Sequence, residues 1–148
     1  MSKFKQIQLR TLDKHLAQIR VPEVPSNGWI RAIRSSLGMS MEQLAARMGI
    51  AKQSVARLEN NESGDSITLK SLRKAAEGLN CQLVYALVPN KDGLQGIVEK
   101  QALLKAKDIV SAVDHTMQLE AQGVGNLQAK IVELAEDLAK NPNSKLWD

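Results

Sequence analysis

Apolar residues recur every three or four positions along most of the chain, the spacing that places side chains on one face of a helix. This spacing predicts a first amphipathic helix over residues 4–20. It is followed at residues 21–28 by two prolines and a glycine, which cannot continue a helix and indicate an extended arm. We therefore interpret residues 1–28 as an N-terminal amphipathic helix with an arm.

Residues 29–80 contain four short helical patterns, which glycines and polar clusters separate. Glycine after a helix favours a left-handed end, and a hydroxyl residue before a helix caps its N–H groups. The residues expected to play these parts are Gly38, Ser40 with Gln43 in capping-box position, Gly49 and Thr68. The first of these helices is expected to bury Trp29, Ile33 and Leu37. The pattern is typical of a compact bundle of short helices.

The period changes at residues 81–88, where β-branched and aromatic residues with partial alternation predict a single β-strand that ends at Pro89. A lone strand exposes unpaired backbone groups. We therefore expect it to pair either with the arm at residues 22–25 or with its copy in a second subunit.

Helical spacing resumes beyond Asp92 and predicts one long helix to Met117. Gly123 and Gly125 are expected to break it, with Asn126 capping a final helix that Asn141 and Pro142 end. We interpret residues 81–148 as a strand plus C-terminal helices for dimerisation or partner binding.

Within the bundle, a glycine joins two short helices over residues 40–60. Gly49 supplies a left-handed turn, and the small Ala45 allows the two helices to approach. Leu44, Ile50, Val55 and Leu58 are expected to point inward. A polar outer face remains on the second helix: Lys52, Gln53, Ser54 and Arg57.

Side chains of these types can read DNA bases, because Gln pairs with adenine and Arg or Lys pairs with guanine. We predict base reading by those four residues, the alternative being that any one of them faces solvent or a phosphate. Neighbouring basic residues are candidates for phosphate contacts, with a solvated face as the alternative: Arg31, Arg34, Arg47, Lys70 and Arg73. Residues 29–80 are therefore interpreted as a helix-turn-helix DNA-binding domain.

The charge balance agrees with this interpretation without requiring it. The chain has 20 Lys and Arg against 16 Asp and Glu, and residues 1–90 hold 13 of the basic and 7 of the acidic side chains. His15, His115 and the single Cys81 have no metal-ligand spacing, and no glycine-flanked nucleophile or phosphate loop occurs. We therefore expect neither enzyme activity nor a cofactor nor a metal. The longest apolar run is six residues, far short of a membrane span, so a cytoplasmic location is expected.

Residues 29–79 resemble the phage-repressor, or XRE-type, helix-turn-helix domain at Leu44-Ala45, Gly49-Ile50, Val55 and Leu58-Glu59. The resemblance implies that Lys52, Gln53 and Arg57 lie against the major groove. Two positions depart from the usual pattern: Ala51 replaces a hydroxyl residue and Met41 replaces a glutamine. The expected fold is mostly α, a repressor-type helix-turn-helix bundle with one β-strand and C-terminal helices.

A chain-wide similarity, carried by residues 28–34, 67–72 and 81–89, links the sequence to the "mobile mystery protein A" family. Members of that family are encoded beside a protein with a Fic-type domain, so the resemblance implies a two-protein module. We expect a homodimeric transcription regulator that binds an inverted repeat in double-stranded DNA and controls its own promoter. The alternative is an antitoxin-type protein whose C-terminal helices neutralise the Fic-type partner. A third class, non-specific nucleic-acid binding, predicts strong salt dependence without a preferred sequence.

Overall fold

The computed structural model describes the backbone of residues 2–117 and 124–148 and the side chains of residues 3–113 and 126–148. Its described residues form helices joined by turns and irregular segments. The helices are α1 (Ser2–Ala17), α2 (Trp29–Ser36), α3 (Met41–Met48), α4 (Lys52–Ser63), α5 (Leu69–Gly78), α6 (Gly93–Met117), α7 (Val124–Lys140) and a terminal 3-10 turn (Ser144–Trp147). The mostly helical fold expected from the sequence is confirmed.

The predicted β-strand at residues 81–88 is wrong, because this segment is neither helix nor strand. Most of its apolar side chains lie in solvent, with Val84 81% and Leu87 84% exposed, and only Leu83 and Val88 are half-buried. A strand exists only through hydrogen bonds to a neighbour. No strand occurs anywhere in the described ranges, and residues 21–25 form none beside it. The β-favouring residues at 81–88 therefore have no neighbouring strand in the described ranges with which to form hydrogen bonds.

The turn chemistry predicted for the bundle is confirmed at each boundary. Gly38 and Gly49 both have φ of 69°, and Ser40 and Gln43 form a complete capping box. Thr68 accepts a hydrogen bond from the backbone N–H of Ser71 at 3.1 Å. These local signals work because each depends only on residues three or four positions apart.

The C-terminal boundaries are confirmed in part. Helix α7 ends at Lys140, before the predicted Asn141-Pro142 stop. Asn126 does not cap α7, because the helix already begins at Val124 and includes Gly125. The predicted break at Gly123 lies outside the described residues.

The chain divides into two compact units, residues 21–85 and residues 1–20 with 86–148. We call them the central unit and the terminal unit. The functional division of the chain into residues 1–28, 29–80 and 81–148 stays a prediction.

The core of the central unit is built from large aliphatic side chains. Ile30, Leu44 and Val55 are no more than 2% exposed, and Ala45, Ala75 and Leu79 complete the buried cluster. The inward positions predicted for Leu44 and Val55 are confirmed, whereas Ile50 is 37% exposed. The face predicted for α2 is right at Ile33, which packs against the core, and wrong at Trp29 and Leu37, which are exposed. Ile30 and Arg34 are buried instead. 

The terminal unit has a core of small side chains. Ala102 and Ala106 of α6 are fully buried, as is most of Ala135 on α7. Val98 and Leu146 form a second buried group with Ala102. Alanine brings two helix backbones together but removes little apolar surface from water per residue.

Candidate nucleic-acid interface

The turn between α3 and α4 is fixed by the backbone. Gly49 adopts the left-handed conformation, and the N–H of Ile50 returns to the carbonyl of Ala45 at 3.0 Å. A residue with a Cβ would be strained at this φ. Helix α4 then begins at Lys52, and its N-cap Ala51 makes no side-chain capping bond. The first turn of α4 thus keeps N–H groups that can meet an anion.

The inner face of α4 is anchored by packing and by a buried ion pair. Val55 is fully buried, and Glu59 is only 4% exposed. Glu59 binds the guanidinium of Arg34 on α2, with Nε to Oε1 at 2.5 Å and Nη2 to Oε2 at 3.3 Å. Arg34 also donates from Nη1 to the carbonyl of Met39 at 2.8 Å. Each buried charge is therefore matched, and the ion pair ties α4 to α2.

A second carboxylate of α4 holds the start of α2. Glu62 accepts from the backbone N–H groups of Trp29 at 2.7 Å and Ile30 at 2.8 Å. Gly28 precedes them with φ of 84°, and a Cβ there would lie 2.7 Å from the Glu62 carboxylate. The carboxylate satisfies two unpaired donors and interacts favourably with the positive end of the helix dipole.

With its inner face fixed, α4 presents polar side chains on the opposite face. Lys52, Gln53 and Arg57 are exposed, and Ser54 is half-buried. Lys52 donates from Nζ to Oε1 of Glu42 on α3 at 2.8 Å. The hydrogen bond and charge of Lys52 lower the pKa of the Glu42 carboxyl. This pair lies in solvent, so a competing phosphate can reach Lys52 at small cost.

The predicted phosphate contacts divide into two groups. Arg31, Arg47, Lys70 and Arg73 are exposed. Arg47 donates from Nε to the carbonyl of Gly78 on α5 at 2.7 Å, which orients its guanidinium. Arg34 is 8% exposed and bound by Glu59, so its guanidinium is engaged inside the central unit. We therefore leave Arg34 out of the interface.

Sequence reasoning missed the two carboxylates that position α4, Glu59 and Glu62. Glu59 lies four residues after the buried Val55, on the same face of the helix, which marks it as a buried charge in need of a partner. Its partner could not be assigned, because Arg34 resembles a surface cation in a short amphipathic helix. Glu62 carries no comparable signal, since the N–H groups that donate to it lie 32 and 33 residues away.

Comparison with known proteins supports the geometry. Residues 30–85 match the family model described as helix-turn-helix, a little over a third of the chain. Neither the curated proteins nor the solved structures contain a match to this chain. The central unit therefore contains a helix-turn-helix domain, the kind of domain that DNA-binding regulators use.

Among the residues that the structure describes, no helix is long and apolar enough to cross a membrane. The same residues contain no group of three or more His, Cys, Asp or Glu side chains that could hold a metal ion.

Proposed function

We propose that this protein is a sequence-specific regulator that binds double-stranded DNA with the outer face of α4. The observation that carries the proposal is the contrast between the two faces of this helix. Val55 and Glu59 are held in the core, while Lys52, Gln53 and Arg57 extend from an anchored backbone. Anchoring matters because side chains read base edges well only when their backbone is fixed in register.

The proposed contacts follow from the chemistry of each side chain. Gln53 would pair with adenine, and Arg57 and Lys52 with guanine, whereas the half-buried Ser54 would reach a base or a phosphate. Arg31, Arg47, Lys70 and Arg73 would hold the backbone and fix the register. The separation of Gln53 and Arg57 is four residues, roughly 6 Å along the helix axis. One unit therefore spans only a few base pairs.

So short a site favours a dimer that binds an inverted repeat. Two recognition helices related by a two-fold axis would enter successive major grooves about 34 Å apart. The terminal unit supports such pairing, because α1 and α6 expose large apolar residues. Among these are Phe4 at 71%, Ile7 at 62% and Leu104 at 49%. Burying this surface against a second copy would stabilise the assembly.

The decisive experiment is selection of bound duplexes from a random library, followed by affinity measurement on the enriched motif. Gln53→Ala should weaken binding to that motif by about 1–3 kcal/mol and relax the preference at one base position. Gln128→Ala is the matched control, since Gln128 is an exposed glutamine of α7 in the terminal unit. A library that returns no enriched motif contradicts sequence-specific readout and favours the non-specific class.

We also propose that the protein regulates its own gene, with the bound motif lying upstream of that gene. The antitoxin alternative assigns the exposed apolar residues of the C-terminal helices, such as Leu104 of α6, to a Fic-type partner. The two are separated by Gln53→Ala together with Leu104→Glu. Loss of DNA binding with Gln53→Ala supports regulation. Loss of capture of a co-expressed Fic-type protein with Leu104→Glu, in a chain that remains dimeric, supports the alternative.

A further inference from the structure

A cleft of about 300 Å³ lies beside the recognition face, between α4 and α5 of the central unit. Helix α4 contributes Ser54, Arg57 and Asn61 to its lining, and α5 contributes Ser71 and Lys74. Leu58 and the side chains before α4 supply an apolar wall. Lys70 and Arg73 of α5 are the candidate phosphate contacts predicted from the sequence. The structure instead places Lys74 of the same helix at this cleft.

The charges around the cleft are of one sign. Arg57 and Lys74 approach it from two different helices, and the described residues that line it include no carboxylate. Two cations that share a cleft repel each other, and the repulsion is modest here because both side chains lie in solvent. An anion bound between them would convert the repulsion into two attractions.

The hydroxyl groups are arranged to donate. Thr68 donates from Oγ1 to Oγ of Ser71 at 3.0 Å, and its Oγ1 also accepts the backbone N–H of Ser71. Because Ser71 Oγ is the acceptor in that bond, its own hydrogen remains available to another group. Ser54 and Asn61 add further donors from α4. A tetrahedral oxyanion needs several donors from different directions, and this lining offers them.

We propose that this cleft is a phosphate-binding site in which Lys74 pairs with the oxyanion and Ser71 donates to it, with Arg57 pairing as well in the protein free of DNA, where it reads no base. Two sources can supply the same group: a phosphate of the DNA backbone, or a small phosphorylated molecule that binds the free protein. The DNA source rests on the function proposed above, and the small-molecule source does not. If a small molecule occupies the cleft, it competes with DNA for Arg57.

The first measurement uses the full-length protein without DNA. Inorganic phosphate and glycerol 3-phosphate are titrated while the backbone amide signals are followed by NMR. We expect saturable shifts at residues 54, 57, 71 and 74 for a small-molecule source. Lys74→Gln should abolish them and Lys70→Gln should leave them, since both are exposed lysines of α5 but only Lys74 lines the cleft. An unchanged melting temperature verifies that both variants fold.

The second measurement is the dependence of DNA affinity on salt, using the selected duplex. Loss of one phosphate contact should reduce the slope of log K against log salt by about one. We expect this reduction for Lys74→Gln, with the base preference unchanged, and no reduction for Lys100→Gln in the terminal unit.

The two measurements separate the sources. A reduced slope without NMR shifts assigns the site to the DNA backbone, and shifts without a reduced slope assign it to a small phosphorylated ligand. Absence of both overturns the site. Failure to select any duplex overturns the proposed regulator, whereas the phosphate titration still decides the site.

Discussion

The two units of this protein differ in the side chains that form their cores. The central unit buries Ile30, Leu44 and Val55, each no more than 2% exposed, within a segment of 65 residues. The terminal unit buries mainly alanines and leaves Phe4 and Ile7 in water. Both units expose large apolar side chains, among them Leu37 and Val84 in the central unit, so the difference lies in the size of the side chains that form the two cores.

The two units share one structural feature, the way in which a helix start is capped. In each, a distant carboxylate caps a helix whose start follows or includes a glycine with positive φ. Glu62 caps α2 after Gly28, and Asp13 accepts from the N–H groups of Leu94 at 2.5 Å and Gln95 at 3.0 Å beside Gly93. The starts of α2 and α6 are thus capped in the same way, so the contrast lies in the packing.

The contrast indicates different tasks. A helix that reads DNA needs a rigid anchor, and the central unit supplies one by burying Val55 and Glu59 of α4. We assign recognition to the central unit because its α4 is anchored in this way. In our proposal, exposed apolar residues of α1 and α6 in the terminal unit, such as Ile7 and Leu104, pair two copies of the chain.

The largest effect is expected from placing a charge on the terminal unit. Ile7→Glu should raise the dimer dissociation constant, because burying an isoleucine contributes about 1.5–3 kcal/mol and a two-fold interface counts the change twice. Sedimentation across a range of concentrations measures it. Val84→Glu is the control, because Val84 is 81% exposed in the central unit. If Val84→Glu dissociates the dimer and Ile7→Glu does not, the assignment of the two units is reversed.

A slightly smaller effect is expected from breaking the buried pair of the central unit. Glu59→Gln removes the charge that compensates Arg34 and should cost about 3–5 kcal/mol of the free energy of unfolding, measured by urea titration. The double variant Arg34→Met with Glu59→Leu should recover most of the loss, since it replaces the pair with apolar side chains. A single variant as stable as the parent would mean that the pair does not anchor α4.

The capping carboxylates Glu62 and Asp13 allow the same substitution to be made in each unit. Glu62→Ala and Asp13→Ala each remove the acceptor of two backbone N–H groups, and each should cost about 0.5–2 kcal/mol. Hydrogen exchange locates the loss, which should fall on amides of α2 for Glu62→Ala and on amides of α6 for Asp13→Ala. Loss in both units from either change would show that they unfold together.

The parts of the fold that were predictable are those set by neighbours in sequence. The capping box at Ser40 and Gln43 and the left-handed Gly49 were predicted because glycine and hydroxyl residues act within one helical turn. The exposed positions of Lys52, Gln53 and Arg57 follow from the same helical period. Their role on DNA stays a prediction that the variants above examine.

What escaped prediction depends on partners far along the chain. The β-favouring residues at 81–88 predicted a strand, but a strand requires a neighbour that local sequence does not specify. Arg34 was placed on the surface because a cation in a short helix is usually solvated, and only its contact with Glu59 makes burial tolerable. Lys74 was overlooked because lining a cleft depends on how α4 and α5 pack.

The smallest expected effect comes from the exposed pair beside the recognition helix. The Glu42 carboxylate lies 2.8 Å from Nζ of Lys52, so a DNA phosphate or base would have to displace this carboxylate to contact Lys52. Glu42→Gln should therefore raise DNA affinity at low salt, by less than about fivefold for an exposed pair, and the gain should disappear at high salt. Fluorescence anisotropy measures both.

The sign of the pH effect on this pair follows from the lowered pKa of Glu42. Any contribution of the pair to folding is present above the ordinary glutamate pKa and is lost as the pH falls through the lowered value. Protonation also frees Lys52, so the affinity advantage of Glu42→Gln should shrink over the same acidic range. If Glu42→Gln leaves affinity unchanged at low salt while Gln53→Ala weakens binding, Lys52 does not contact DNA and base reading begins at Gln53.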